Sequence, residues 1–464
     1  MLILHPIAIP HDGKQNIFPK NNKSERTFNK NLMTRKLLAL LIVALLVVAV
    51  IFIGRGGTHE IDKGHYLPAD TVTTKTSKPV VRIYMENSGS MNGYVTTNSQ
   101  FKNALGHLIT KADGFYSGTR LDFINQDIYH TPMCDDLDNF VLNLNPQSMQ
   151  VGNTSSTDIN KIFKMILEHT SKDTISVLVS DCMYDVDNVG NLLSAAASST
   201  TGTFMKAIRK ARDAKQEFGT IIMQCMSEFS GNYYEGNMSI PCQSERPYYV
   251  IVMGNMEQLA DFNKHMELEN TSTGLPGMSH KYMLSSEPTW LLDHTTARIY
   301  SSNFNNAIRI QAHHDGLNVR KLTLDKEKPN LNFALGLGIS QLFADSAYVL
   351  NKDNYVVEPS QYKITDVNDK AKFTECDYFK HPVTLQLVAL GQNYVPQITI
   401  KLKNQIPTWV GDCSYNKRLG TLPPAHQSYA IYEMVEGIYG AFYNAKDNES
   451  RDIFRLDVHF DAYE

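Results

Sequence analysis

Three short stretches place oxygen-bearing side chains at the spacing a small cation site needs. "YMENSGSMNGYV" holds Glu86, Ser88 and Ser90, each two residues from the next. "GNTSSTDIN" holds Thr157 and Asp158, and "TISVLVSD" ends in Asp181. Hard divalent cations prefer oxygen ligands, and Mg²⁺ takes six in an octahedron, usually keeping several waters. Glu86, Ser88, Ser90, Thr157 and Asp181 can supply direct and water-mediated ligands to Mg²⁺ or Mn²⁺. A remaining position would accept a partner's carboxylate. The competing role is local: Ser and Asp cap helices, and "NSGSMNG" is good turn chemistry.

The elements that must position these residues alternate between strand and helix. Val80 to Met85 is a short continuous apolar run of the buried-strand type, and "TISVLVSD" repeats the pattern before Asp181. Phe101, Leu105, Leu108 and Ile109 recur at helical spacing, as do Ile159, Ile162, Phe163 and Ile166. Asp158 stands at the second helix's start, where an acid is favourable. "RLDFINQDIYH", "GTIIMQCM" and "YYVIVMG" read as further strands. A polar, hairpin-like insert from about Tyr233 to Arg246 separates the last two. Phe204, Ala207, Ile208 and Ala211 mark one more helix, and Leu259 and Phe262 another. Such alternation predicts an α/β fold with a mostly parallel, doubly wound sheet, whose ligands sit at the strands' carboxyl ends.

"MENSGSM", "STDIN" and "VSD", in that order, resemble the von Willebrand factor A domain and its metal-ion-dependent adhesion site. The resemblance covers roughly residues 78–267. It implies Ser88 and Ser90 as direct ligands, Thr157 as a ligand in some states, and Asp181 acting directly or through water. Glu86 departs from the family's Asp, and its extra methylene displaces the carboxylate in a site that tolerates little error.

Other candidates carry less. In "AHHDG", His313, His314 and Asp315 include adjacent histidines that would point to opposite faces of a strand, so a turn is expected. Asp293 and His294 in "LDHTT" lack an accompanying nucleophile motif. The GxG of "LGLGIS" lacks a phosphate-binding context. Tyr233 and Tyr234 read as a contact loop or as hairpin packing.

Beyond about residue 268 the pattern changes to short alternating segments punctuated by Gly, Pro, Asn and Asp. "TARIYSS", "AIRIQAH", "VRKLTL", "SAYVL", "YVVEP", "YKITDV", "PVTLQLVAL" and "QITIKLK" predict a β-rich, sandwich-like domain. Tyr429 to Tyr443 has helical spacing, and "IFRLDVHF" reads as a last strand.

At the other end, the uncharged apolar run Leu37–Ile53 would span about 25 Å as a helix. That approaches a hydrocarbon core of about 30 Å, and Lys36 and Arg55 could snorkel at its ends. Basic residues cluster before the run. The expectation is therefore a cytoplasmic tail (1–36), a single-pass inner-membrane anchor (37–53), a linker (54–78), and two exported, periplasmic domains (79–267 and 268–464). "MTRKLL" at Met33 would also serve as a start. The six cysteines all follow the anchor, without CxxC spacing, which permits disulfides and argues against zinc.

A net charge of −4, with 20% charged and 42% hydrophobic residues, indicates a globular chain and argues against nucleic-acid binding. The expected function is non-catalytic binding, adhesion or assembly, with a protein partner engaged through the Mg²⁺-supported site. The alternatives are a metal-dependent hydrolase using the same carboxylates and a scaffold whose site has lost its metal. No paired base and nucleophile supports the hydrolase.

Overall fold

The computed structural model describes residues 78–155, 158–183, 191–235, 238–268, 274–286, 298–300, 309–313, 316–322, 332–338, 345–368, 382–389, 397–417, 419–443 and 452–462. In chain order, its first part runs β1 (Val80–Glu86), α1 (Gln100–Phe115), β2 (Gly118–Ile124), β3 (Ile128–Tyr129), α2 (Ile159–His169) and β4 (Thr174–Ser180). It continues with α3 (Asn191–Asp213), β5 (Phe218–Glu235), β6 (Met238–Asn255), α4 (Met256–His265) and β7 (Met278–Ser285).

The seven strands form one sheet in the order β3-β2-β1-β4-β6-β5-β7. β1 is an interior strand and pairs in parallel with both β2 and β4. β4 pairs antiparallel with β6, β6 with β5, and β5 with β7, while β3 turns back on β2. Four strands (β1, β2, β4, β5) thus run in one direction, and the fold is mixed α/β. β5 and β6 form a long hairpin, paired from Phe218↔Asn255 to Glu235↔Met238. The supposed polar insert is the far half of this hairpin.

Alternation along the strands assigns the two faces. Val81, Ile83 and Met85 of β1 join Val177, Val250 and the α1 and α4 residues Phe101, Leu108 and Phe262 in one core. Tyr84, Leu178, Ile222 and Ile251 join Ile162, Phe163 and Phe204 of α2 and α3 in the other. The sheet is therefore covered on both sides, which its continuous apolar strands require. Asp158 caps α2, accepting from Asn160 N (2.9 Å) and Lys161 N (3.4 Å).

Two elements from beyond residue 268 complete this layer. β7 pairs with β5, and a helix α5 (Ile431–Tyr443) packs on α3, burying Ile431, Met434, Val435 and Ile438. The β-rich stretch comprises β8 (Arg298–Tyr300), β9 (Arg309–His313), β10 (Gly316–Leu322), β11 (Asn332–Gly338), β12 (Tyr355–Glu358), β13 (Tyr362–Asn368), β14 (Pro382–Ala389) and β15 (Gln397–Lys403). Two short strands, β16 (Ser414–Tyr415) and β17 (Ser428–Tyr429), and β18 (Asp452–Ala462) follow. A five-stranded sheet, β12-β15-β18-β10-β9, and a four-stranded sheet, β13-β14-β11-β8, share a buried cluster that includes Leu335, Leu385, Ile400 and Leu456. "SAYVL" is not a strand: Ser346–Val349 forms one helical turn.

No helix among the described residues is long and apolar enough to cross a membrane. Helix α3 has the length, at 23 residues, but carries serines, threonines and the charges of Lys206, Arg209, Lys210, Arg212 and Asp213. This corrects the expectation of anchoring by an N-terminal helix, with the inner-membrane location and exported domains that followed from it. The run 37–53 itself lies outside the described residues. Cys134, Cys182, Cys225, Cys242 and Cys413 are buried and free, and Cys376 lies outside the described residues.

Candidate functional site

The carboxyl ends of β1 and β4 lie side by side, because these strands are parallel neighbours. The chain leaves β1 towards β2 on one side, while β4 lies on the other, so the crevice between them is a switch point of the sheet. Glu86 ends β1, Ser88 and Ser90 follow it, and Asp181 follows β4. The structure therefore brings four of the five expected site residues to one edge. Thr157 lies outside the described residues.

Within the first loop, Ser88 Oγ and Ser90 Oγ are 3.0 Å apart. The Ser90 hydroxyl also bonds the Asp181 carboxylate, which accepts the Met183 N–H at 3.2 Å. Asp181 is 5% exposed, and burial raises its carboxyl pKa; the Ser90 hydroxyl, the Met183 N–H and the Arg246 charge oppose that rise. Glu86, 3% exposed, accepts a hydrogen bond from Ser180 Oγ at 2.5 Å. Its carboxylate is thus engaged by the last residue of β4.

Asn87, which sequence reasoning passed over, organises this loop. It is 1% exposed and donates through Nδ2 to the carbonyls of Met149 and Val151, both at 2.8 Å. Asn125 Nδ2 donates to Asn87 Oδ1 (3.0 Å) and to Val151 O (2.8 Å). Gly89 N donates to Thr154 O at 3.0 Å. These bonds hold the first loop against the segment that leads to Thr157. The available signal was an asparagine between two candidate ligands, directly after a buried strand.

The β5–β6 hairpin covers the loop. A Cβ on Gly93 would collide with the Phe229 ring, and one on Gly231 would lie 2.8 Å from Gly93 Cα, so both positions need glycine for this approach. The hairpin also brings Arg246, 3% exposed, to the site. Its guanidinium donates to the carbonyls of Pro423 (3.2 Å), Pro424 (3.1 Å) and Gln427 (2.7 Å) and lies 4.7 Å from the Tyr233 ring centroid. The Tyr233 hydroxyl in turn bonds that of Tyr415. Tyr233 is therefore internal packing, whereas Tyr234 remains exposed.

Ser90, Asp181, Arg246 and Tyr233 line a cavity of about 10 Å³, roughly the room one water takes. In an octahedron with metal–oxygen distances near 2.1 Å, adjacent oxygens lie about 3 Å apart. The Ser88–Ser90 spacing matches that edge, and Asp181 supplies a carboxylate beside it. These donors fit a small oxygen-ligated cation in kind and spacing. Arg246 competes with one in charge, and the covering hairpin restricts the waters it could keep. Among the described residues, no three His, Cys, Asp or Glu side chains converge on a common point, so any cation here relies on hydroxyls.

The remaining candidates separate. His313 ends β9 opposite Gly316 of β10, and His314 and Asp315 lie outside the described residues, as do Asp293 and His294. The GxG of "LGLGIS" lies in strand β11, with Gly336 paired on both sides and Gly338 paired with Pro382 of β14, so it is a sheet strand rather than a phosphate-cradling loop. No family model, curated protein or solved structure matches this chain.

Proposed function

We propose that the protein is a non-catalytic binding module of von Willebrand factor A type. It would engage a protein partner at the carboxyl edge of the seven-stranded sheet, with Mg²⁺ or Mn²⁺ held by Ser88, Ser90 and Asp181. The observation that carries this reading is the convergence of the two seryl hydroxyls and Asp181 across the β1–β4 crevice. The cation would neutralise Asp181 and present a positive centre. Glu86, engaged by Ser180, would act from behind the hydroxyl pair rather than as the family's direct aspartate. Thr157 remains the fourth ligand that the resemblance implies.

A second reading rests on Arg246. A buried guanidinium beside Asp181 can serve as a built-in cation, leaving a metal-free scaffold with the same partner-facing edge. Affinity capture of partners, with and without EDTA, separates the two. The metal reading predicts capture that EDTA abolishes and Ser90→Ala weakens. Capture indifferent to EDTA but lost in Arg246→Gln would support the metal-free scaffold. Capture indifferent to both changes would contradict both readings.

A further inference from the structure

A second cavity, of about 470 Å³, shares no lining residue with the loop edge. It is walled by residues of β5 and β7 and by the segments 345–354 and 405–413. Its volume falls within the range of about 300–1,000 Å³ typical of small-molecule sites.

The wall contains a built polar network. Gln224, 1% exposed, donates through Nε2 to His426 O (3.3 Å) and accepts at Oε1 from Ser279 Oγ (3.1 Å) and Cys413 Sγ (3.4 Å). Burial raises the Cys413 pKa and keeps it a thiol, so it acts here as a donor rather than as a nucleophile. His280 is fixed twice. Its Nδ1 lies 3.0 Å from Asp345 Oδ2, and its ring stacks on the Trp409 indole with centroids 5.0 Å apart and planes 6° from parallel. With Nδ1–H donating to Asp345, Nε2 keeps its own hydrogen-bonding capacity, and it has no partner among the described residues.

Other groups at the cavity are uncommitted in the same sense. Trp409 is 7% exposed, and its indole N–H is buried without a partner among the described residues. Asn351 uses its amide oxygen on Asp353 N, and Gln405 uses its amide nitrogen on Asn354 Oδ1. That leaves one amide donor and one amide acceptor. Such a mixture of donors and acceptors suits hydroxyl groups, each of which donates and accepts at once. Met226, Ile406 and Pro407 supply apolar surface for C–H faces. No Lys or Arg lines the cavity among the described residues, while Asp345 and Asp412 do, which disfavours an anion.

We infer that this cavity binds a small, uncharged, polyhydroxylated ligand of monosaccharide size, oriented by His280 and Trp409. Saturation-transfer NMR on the full chain tests it, with glucose, galactose and N-acetylglucosamine as probes and choline and inorganic phosphate as charged controls. The expected result is transfer to at least one sugar at millimolar concentration. Binding should weaken at least tenfold in His280→Ala and stay unchanged in Asp181→Asn, which alters only the edge site. If His280→Ala fails to fold, Gln405→Ala, at an exposed position, should weaken sugar binding instead. No transfer to any sugar, stronger transfer to choline or phosphate, or unaltered binding in a folded cavity variant would overturn the inference.

Discussion

Two buried aspartates flank the interior strand β1, and they are served very differently. Asp122, on β2, has a fully buried side chain that meets Arg82 at 3.1 Å, Arg120 at 3.1 Å and His130 at 2.8 Å. Strand register explains the cluster: Arg82 lies opposite Arg120, and Asp122 follows two residues on, along the same face. Asp181, just past β4, has one hydroxyl, one backbone N–H and the field of Arg246, without an ion-pair contact among the described residues. A carboxylate matched by two guanidiniums and a hydrogen-bonded imidazole is a structural fixture. One that is buried and under-neutralised at a strand terminus is where the proposed cation would add the missing charge.

The largest contrast should appear on removing each acid. Asp122→Ala leaves Arg82 and His130 facing each other without their shared counter-charge. It should lower unfolding stability in urea by about 3 kcal/mol, the low end for a broken buried pair because Arg120 is half-exposed and can turn to water. Asp181→Asn should change stability by about 1 kcal/mol or less, since it removes a charge that burial already opposes. Its Mg²⁺ affinity should instead fall at least about 100-fold, or about 2.7 kcal/mol. If both variants unfold equally easily, the distinction between the two sites fails.

The pH dependence sharpens the contrast, because the two sites respond in different windows. Asp181 has a raised folded pKa, so the folded state holds its proton above the usual aspartate range. Its ionisation costs stability as pH rises from the ordinary 3.8 through the raised value. Mg²⁺ needs the ionised form and should bind more tightly as pH rises through that same window. At the other site, hydrogen bonds to Asp135 and Asp122 raise the His130 pKa. Its contribution is fully present below the ordinary 6.5 and is lost as pH rises through the raised value. That effect should be small, since the His130 side chain is a third exposed. Urea midpoints of wild type, His130→Gln and Asp181→Asn across pH 4–9 would check both windows.

The smallest effect on Mg²⁺ affinity is expected at Glu86. Glu86→Asp shortens the carboxylate and draws it away from Ser180, trading a 2.5 Å hydrogen bond for the aspartate that the proposed von Willebrand factor A-type site would have. Mg²⁺ affinity should rise modestly or hold, with a stability loss of about 1 kcal/mol. A large fall in Mg²⁺ affinity would show that Glu86 is itself tuned to the cation.

Much of this arrangement was legible because buried strands and capped helices announce themselves. β1, β4 and α2 follow from their apolar runs and from Asp158. The reversed direction of β6 did not, since a fully buried run reads alike in parallel and antiparallel pairing. Arg246 was missed for a related reason. In "SERPYYV" it stands among polar residues that read as solvent-facing, whereas the far half of the hairpin folds back over the loop and buries it. "SAYVL" misled because four apolar-rich residues fit one helical turn as well as a strand. The His280 cavity could not be read from sequence at all, because its walls come from segments up to about 200 residues apart.

The central claim is that the Ser88–Ser90–Asp181 edge takes a divalent cation. Isothermal titration calorimetry of the full chain with MgCl₂ and MnCl₂ at pH 7.5 tests it most directly. The account predicts a single site saturating in the millimolar range or below, lost in Asp181→Asn and weakened in Ser90→Ala. Absence of binding by either metal in the wild type, with binding appearing in Arg246→Gln, would contradict it and assign the cation's place to the guanidinium.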